Sequence, residues 1–349
     1  MNKNVVVVVA LLALLACCSS PPTHALAGFD AMGGWRLLAT PNRASLRGLA
    51  VVDANTAWVS GHAGAIWRTI DGGATWTEVA PPDTSACDFR DVHAFDANVA
   101  LAMVAGTPAR VYRTADGGGQ WQLVHADARE QAFFDALAFA GGTGLLFGDP
   151  LDGAFCLWTS RDAGLTWMPV PREQVPMPLV GEAAFAASGT CVAVTGEPGA
   201  EQFWIATGGG ERARLLRSGA DGWTTQDVPL RTGSASRGGF GLAVRGQQVV
   251  LVGGDYAEPR ASAATAARSD DAGSTWTAAA GGAGGFRSAA VWLDDTRVLA
   301  VGSHGTSLSL DAGRTWTNVD PTGFHCVARG ADGSVWACGS DGRVARWRD

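Results

Sequence analysis

The chain has 349 residues, with 33 Asp and Glu against 26 Lys and Arg, for a formal net charge of −7. That balance argues against a nucleic-acid partner, which calls for a basic face. Lys3 is the only lysine, so Schiff-base chemistry and lysine general bases are excluded once the N-terminus is removed, and 47 Gly with 14 Trp suit a turn-rich β protein.

Lys3 and the apolar run Val5–Ala16 read as the start of a secretion signal, because 12 apolar residues are too few to span a bilayer. Two processing sites follow. Ala25-Leu26-Ala27 offers an A-x-A cleavage site, giving a signal peptide over 1–27. Leu14-Leu15-Ala16-Cys17 instead resembles a bacterial lipobox, with cleavage before Cys17 and lipid on its sulfur. Either route takes the protein out of the cytoplasm to a periplasmic place, anchored by lipid in the second case. Residues 28–349 then form one domain.

From residue 46 onward one phrase recurs: Thr69-Ile-Asp71-Gly-Gly73-Ala-Thr-Trp76, and again at Thr114–Trp121, Ser160–Trp167, Ser269–Trp276 and Ser309–Trp316. Hydroxyl and carboxylate accept backbone N–H groups of a turn, Gly supplies positive φ, and Trp covers the turn. The phrase is therefore scaffold. Trp76 to Trp121 is 45 residues, Trp121 to Trp167 is 46 and Trp276 to Trp316 is 40, while the 109 from Trp167 to Trp276 leave room for one more unit. A degraded copy at Arg217–Trp223 fills that gap.

Each unit begins with an apolar strand (Leu46–Val51, Phe89–Ala94, Phe286–Val291). A second ends in Gly (Ala57–Gly61, Leu299–Gly302, Val335–Gly339), and a third precedes the repeated turn (Ala65–Arg68, Arg110–Arg113). The last unit stops after three strands. Gly34–Pro41 resembles Thr75–Pro81 and supplies the fourth, hiding the open edges. The expectation is all-β: a seven-bladed β-propeller of four-stranded blades, with the repeated turns between strands three and four.

Five cysteines lie beyond the N-terminal segment. The turn Ala331-Asp-Gly333 sets Cys326 opposite Cys338, as a cross-strand disulfide or as two small buried thiols. No C-x-x-C pair exists, and no metal or cofactor is expected.

Aligning the units places Arg47, Arg90, Asp135, Glu182, Phe240, Arg287 and His325 at the second position of strand one, in a ring at the channel mouth. Loops after strand two add His62, Asp149 with Asp152, Glu197, Asp255 with Tyr256, and His304. Arg47, Arg90, Arg287, His62, His304 and His325 form a basic half and the carboxylates an acidic half. A charge-polarised concave face suits a protein or peptide partner. Three histidines on adjacent units are a weaker, metal-binding reading.

The repeated phrase resembles the Asp box, or bacterial neuraminidase repeat, of β-propellers. With the signal and the Gly61-His-Ala-Gly64-Ala-Ile-Trp-Arg-Thr69-Ile-Asp71 pattern, residues 34–349 resemble the photosystem II assembly/stability factor family. That likeness implies an extracytoplasmic binding or assembly factor for a membrane or envelope complex, with Arg47, Arg90 and Arg287 meeting the partner. Units three to five depart from the pattern, which points to a relative with another client as readily as to the photosystem itself. The alternative is a sialidase-like glycoside hydrolase, with Tyr256 as nucleophile, Glu182 or Glu197 activating it, Asp149 as acid and the three arginines on a substrate carboxylate.

Overall fold

The computed structural model describes residues 33–40 and 43–349; the signal segment 1–27 and Cys17 lie outside the described residues. Seven four-stranded antiparallel sheets surround one axis. In chain order the blades run Leu46–Glu78, Phe89–Asp127, Phe134–Pro169, Val192–Val228, Arg237–Ala278, Ala289–Asp320 and Cys326–Arg348. Strand one of each blade packs on strand one of the next, and that of the seventh on that of the first. Gly34–Leu38 pairs with Val344–Arg348, Trp35 opposite Trp347, and completes blade seven as the repeat predicted. No helix among the described residues is long and apolar enough to cross a membrane.

The repeated turns connect strands three and four in blades one, two, three, five and six. In the first, Thr69 Oγ1 accepts the Gly73 N–H at 2.9 Å and donates to Asp71 Oδ1 at 2.9 Å. Asp71 Oδ1 accepts the Thr75 N–H at 2.9 Å, and Oδ2 accepts its hydroxyl at 2.6 Å. The same bonds recur at Asp162, Asp271 and Asp311. These donors hold the Asp71 and Asp271 carboxyls down to about 2. Blade four departs: Gly219 pairs directly with Gly222 in a two-residue hairpin, so the degraded copy builds no such turn.

The turns also join the blades. An Arg on strand three reaches forward to the carbonyl of the residue after the turn's Asp: Arg113 to Ala163 at 3.0 Å, Arg268 to Ala312 at 3.1 Å, and Arg217 to Ala272. The Gly that follows lies against the preceding blade. At Gly273, φ is +78° and a Cβ would fall 2.3 Å from Leu215 Cδ2. Gly273→Ala thus combines left-handed strain with an inter-blade clash, and lowers stability by about 1–3 kcal/mol in chemical denaturation.

The Cys326–Cys338 register is as expected, the two facing each other across strands one and two of blade seven. Both are buried free thiols, the second of the two arrangements the sequence allowed. Cys326 Sγ instead lies 3.2 Å from the Ser188 carbonyl, at the molecular axis.

Candidate functional site

Strand one carries the same irregularity in several blades. Its pairing to strand two skips one residue at Arg47, Arg90, Asp135 and Phe240. A bulge of this kind re-aims one side chain without ending the strand. All four line one cavity of about 460 Å³ on the axis, with Ser288 from blade six and His325 from blade seven. A larger depression of about 680 Å³ lies between Glu173–Pro176 and the hairpin Ser218–Trp223, and holds none of these residues.

Blade four supplies the floor. Its strand one begins only at Val192, and the preceding segment crosses the channel. Arg90 Nη1 donates to the Ala186 carbonyl at 3.0 Å, and Arg47 Nη1 to that of Ala187 at 3.5 Å. Ser188 Oγ donates to the Ser288 carbonyl at 2.8 Å. Gly189, at φ +72°, is where a Cβ would sit 2.1 Å from Asp91 Oδ1. Residues 184–190 therefore plug the channel and divide it into two bowls. Ala184–Ala187 line the 460 Å³ bowl, and Ser188–Thr190 line another of about 320 Å³ with Leu49, Asp91, His93 and Phe139. Phe185 stacks on Phe240 with centroids 3.7 Å apart, and Phe240 meets Phe286 at 4.8 Å and Tyr256 at 6.1 Å, edge to face.

Of the site residues expected from sequence, Arg47, Arg90, His325, Asp149 and Tyr256 share the larger bowl. Tyr256 is 54 % exposed there. Arg287 and Glu182 are corrections. Arg287 is 1 % exposed, and its guanidinium donates to Ser307 Oγ at 2.7 and 3.1 Å, Asn318 Oδ1 at 2.9 Å and the Phe286 carbonyl at 2.9 Å. The cause is register. Arg287 N–H bonds the Gly253 carbonyl of the preceding blade, as Leu46 N–H bonds that of Gly339 and Phe134 N–H that of Ala105. Arg287 thus takes the inward place of Leu46, and Ser288 takes that of Arg47. A one-residue slip exchanges the two faces of a strand. Without a carboxylate nearby, burial lowers the Arg287 pKa to about 10.

Glu182 lies below the rim in a buried ion pair, accepting from Arg214 Nε at 2.8 Å and Nη2 at 2.5 Å, with Thr207 Oγ1 at 2.5 Å. It is spent on blade four and does not face Tyr256. Asp255 is likewise answered by Arg237 Nε at 2.7 Å. Without Arg287 and Glu182 the bowl assembles neither the arginine triad nor the Tyr–Glu couple of the hydrolase reading. Glu197 is exposed outside the bowl, as are His62 and His304. Among the described residues, no group of three or more His, Cys, Asp or Glu is placed to hold a metal.

Electrostatics sort the rest. Burial, then Arg47, bring His325 down to about 4, so it is neutral at physiological pH; Nδ1 donates to the Leu46 carbonyl at 2.9 Å and Nε2 faces Ser340 Oγ at 3.3 Å. The basic wall is therefore Arg47 and Arg90, the latter paired with Asp88 at 2.6 Å. Burial raises both Asp135 and Asp149 above the usual carboxylate range. On the far side of the plug, burial pushes Asp91 up to about 8 although it accepts the Val92 and Leu137 N–H groups at 2.8 Å each. Sequence reasoning missed the plug and the aromatic wall of Phe133, Phe185 and Phe286. The small-residue run 183–191 was the available signal, since only such a segment fits among seven strands.

A family model described as photosynthesis system II assembly factor YCF48 matches residues 30–129, which include the closing strand and the first two blades. Two solved structures are similar: "YCF48 bound to D1 peptide" (17% identity, TM-score 0.62, covering 90% of this chain and 95% of that one), and YCF48 from Cyanidioschyzon merolae (17%, 0.62, 90% and 98%). A chain from a mitotic checkpoint complex is also similar, at 15% identity and TM-score 0.59, covering 98% of this chain and 99% of that one. No curated protein sequence matches. Fold and bowl define the class: an all-β, seven-bladed propeller with a plugged channel. Within that class the chain is a propeller similar to the photosystem II assembly factor, as its repeats implied.

Buried groups set the pH dependence of stability. His93 and His325, both lowered to about 4, bind fewer protons folded than unfolded, so the contribution of these two groups rises from pH 4 to 6.5. Asp91, raised from 3.8 to about 8, binds more protons folded, so its contribution falls as pH rises between those two values and levels off above the second. Stability should drop between pH 6.5 and 8.5, by about 1–2 kcal/mol for Asp91 alone, read as a falling melting temperature, and Asp91→Asn should flatten that limb. Arg287→Glu places a carboxylate where no cation answers it, and costs about 3–5 kcal/mol by denaturant titration. Arg47→Glu, at the bowl, costs less, about 1 kcal/mol, since only one long bond to the Ala187 carbonyl is lost.

Proposed function

We propose that this chain is an extracytoplasmic binding and assembly factor that holds a peptide segment of a membrane or envelope protein complex in the larger bowl. The observation that carries the reading is the bowl itself: two guanidiniums, Arg47 and Arg90, beside an aromatic wall, over a plug that closes the channel. Aromatic and Arg groups at the centre of a concave site are the usual anchors of recognition. A similar propeller whose solved structure is titled as bound to a D1 peptide supports a peptide as the partner class. Arg287, the third arginine of the family likeness, turns inward here, which supports a client other than the photosystem. The location rests on the signal-like segment 1–27, with Cys17 as the lipid-bearing residue where the lipobox is used.

An array of acetylated 12-residue peptides, read by fluorescence with the full chain, should select sequences with acidic and aromatic residues. Arg47→Glu with Arg90→Glu should weaken the best of them at least tenfold, an effect that shrinks as salt rises. Unchanged binding by the double variant would retire the bowl as the contact surface. For the location, labelled palmitate should enter the full chain expressed in a Gram-negative host and be lost in Cys17→Ser. A mature N-terminus at Gly28 decides instead for ordinary signal cleavage.

A further inference from the structure

The floor of the larger bowl carries an acidic pair that the chain does not answer. Asp135 sits at the bulge of blade three and Asp149 in the outgoing end of its strand two. Asp135 is fully buried, and neither of its carboxyl oxygens receives a well-formed hydrogen bond. Its nearest polar neighbours are the Asp149 carboxyl and the Ala186 backbone, with the Arg90 guanidinium beyond. Asp149 accepts a single N–H, from Ala184 at 3.2 Å. Among the described residues the other buried acids are answered: Glu182 has Arg214, Asp255 has Arg237, Asp127 has Arg129, and Asp91 accepts two backbone N–H groups at 2.8 Å each. The cation closest to Asp135 is already held by Asp88 and the Ala186 carbonyl. Two carboxyls left this way ionise as a unit and share one proton, which Asp135 carries.

Both acids face the cavity whose other wall is the Phe185–Phe240–Phe286 cluster with Tyr256. Aromatic faces attract cations, and a buried carboxylate pair does so more strongly.

We propose that the Asp135–Asp149 pair seats an organic ammonium group carried on an apolar stem, and that this group takes the place of the shared proton. The balance is one for one. The ammonium enters, Asp135 releases its proton to solvent, and the doubly ionised pair is answered by the ammonium and Arg90. In a peptide the group is a lysine side chain or a free N-terminus; the inference deepens the reading of the bowl as a peptide site but is tested without it. Other groups facing the pair are Arg47 from blade one, Arg90 with Asp88 from blade two, Tyr256 from blade five and His325 from blade seven. Cys156 lies behind Asp149, and Cys191 lies near Asp135 just past the plug. His325 is neutral above about pH 4, and burial raises both thiols, so none of these three titrates between pH 6 and 8.

The test is calorimetric titration of the full chain with phenethylamine, and with its neutral isostere 2-phenylethanol, at pH 6 and pH 8 in buffers of different ionisation enthalpy. The amine should bind about tenfold or more tightly at pH 8, with about one proton released, and the alcohol should not bind. Asp149→Asn and Asp135→Asn should each weaken the amine at least tenfold and abolish the pH dependence, while Asp91→Asn beyond the plug changes neither. Acetyl-lysine amide and phenylalanine amide then separate a side-chain source from a terminal one. Equal binding of the alcohol, a pH-independent affinity in the unaltered chain, or calcium chloride binding in the amine's place overturns the proposal. The proton count is measured on the unaltered chain, so it tests the exchange even where an Asn variant fails to fold. Amine binding with no peptide bound on the array would retire the peptide reading alone.

Discussion

Seven sheets set around one axis leave a hole on that axis, and what fills it governs the rest of this molecule. The ring is held at its rim by strand Gly34–Leu38, which closes blade seven, and by turns that each grip the blade before them. At the centre, seven first strands converge with polar backbone and a few charged side chains facing inward. An open channel would leave those groups to water. Residues 184–190 of blade four lie across it instead, and their carbonyls accept Arg47 and Arg90 while Ser188 and Thr190 bond the Ser288 carbonyl. The first strand of that blade, Val192–Thr195, begins only after the plug. The gain is a floor, and a floor turns a tunnel into two bowls of different character.

Register then decides which residues the bowls receive. The repeated bulge in strand one turns Arg47, Arg90, Asp135 and Phe240 to the axis while their neighbours stay in the inter-blade core. Blade six keeps the same backbone geometry but is offset by one residue against its apparent alignment, so Ser288 faces the bowl and Arg287 the interior. The phrase Phe286-Arg-Ser matches Phe89-Arg-Asp letter for letter in its first two places, and still the arginine lands on the opposite face. Gly284 and Gly285, both at positive φ, lie immediately before that stretch.

Charge follows the same logic. The acidic and basic halves expected from the repeats dissolve once partners are assigned: Glu182 and Asp255 are neutralised within their own blades, and His325 is held neutral by burial. What stays on the bowl is smaller and sharper, two guanidiniums and one acid pair beside an aromatic wall. Burial raises the acids here and the turn hydrogen bonds lower Asp71 and Asp271, so one residue type has opposite acidities in two places of one repeat unit.

The sequence by itself determined the blade number, the closing strand, the place of the repeated turns and the pairing of Cys326 with Cys338, because these depend on spacing and on local turn chemistry. It also placed Arg47, Arg90, Asp149, Tyr256 and His325 at one mouth, since repeat symmetry carries a position from blade to blade. Only the tertiary structure decided that Arg287 and Glu182 are withdrawn, that the thiols stay free, and that a blade-four segment closes the channel. Those outcomes turn on a one-residue offset and on which distant partner satisfies a buried charge. Neither quantity is periodic, so neither could be read from a repeat.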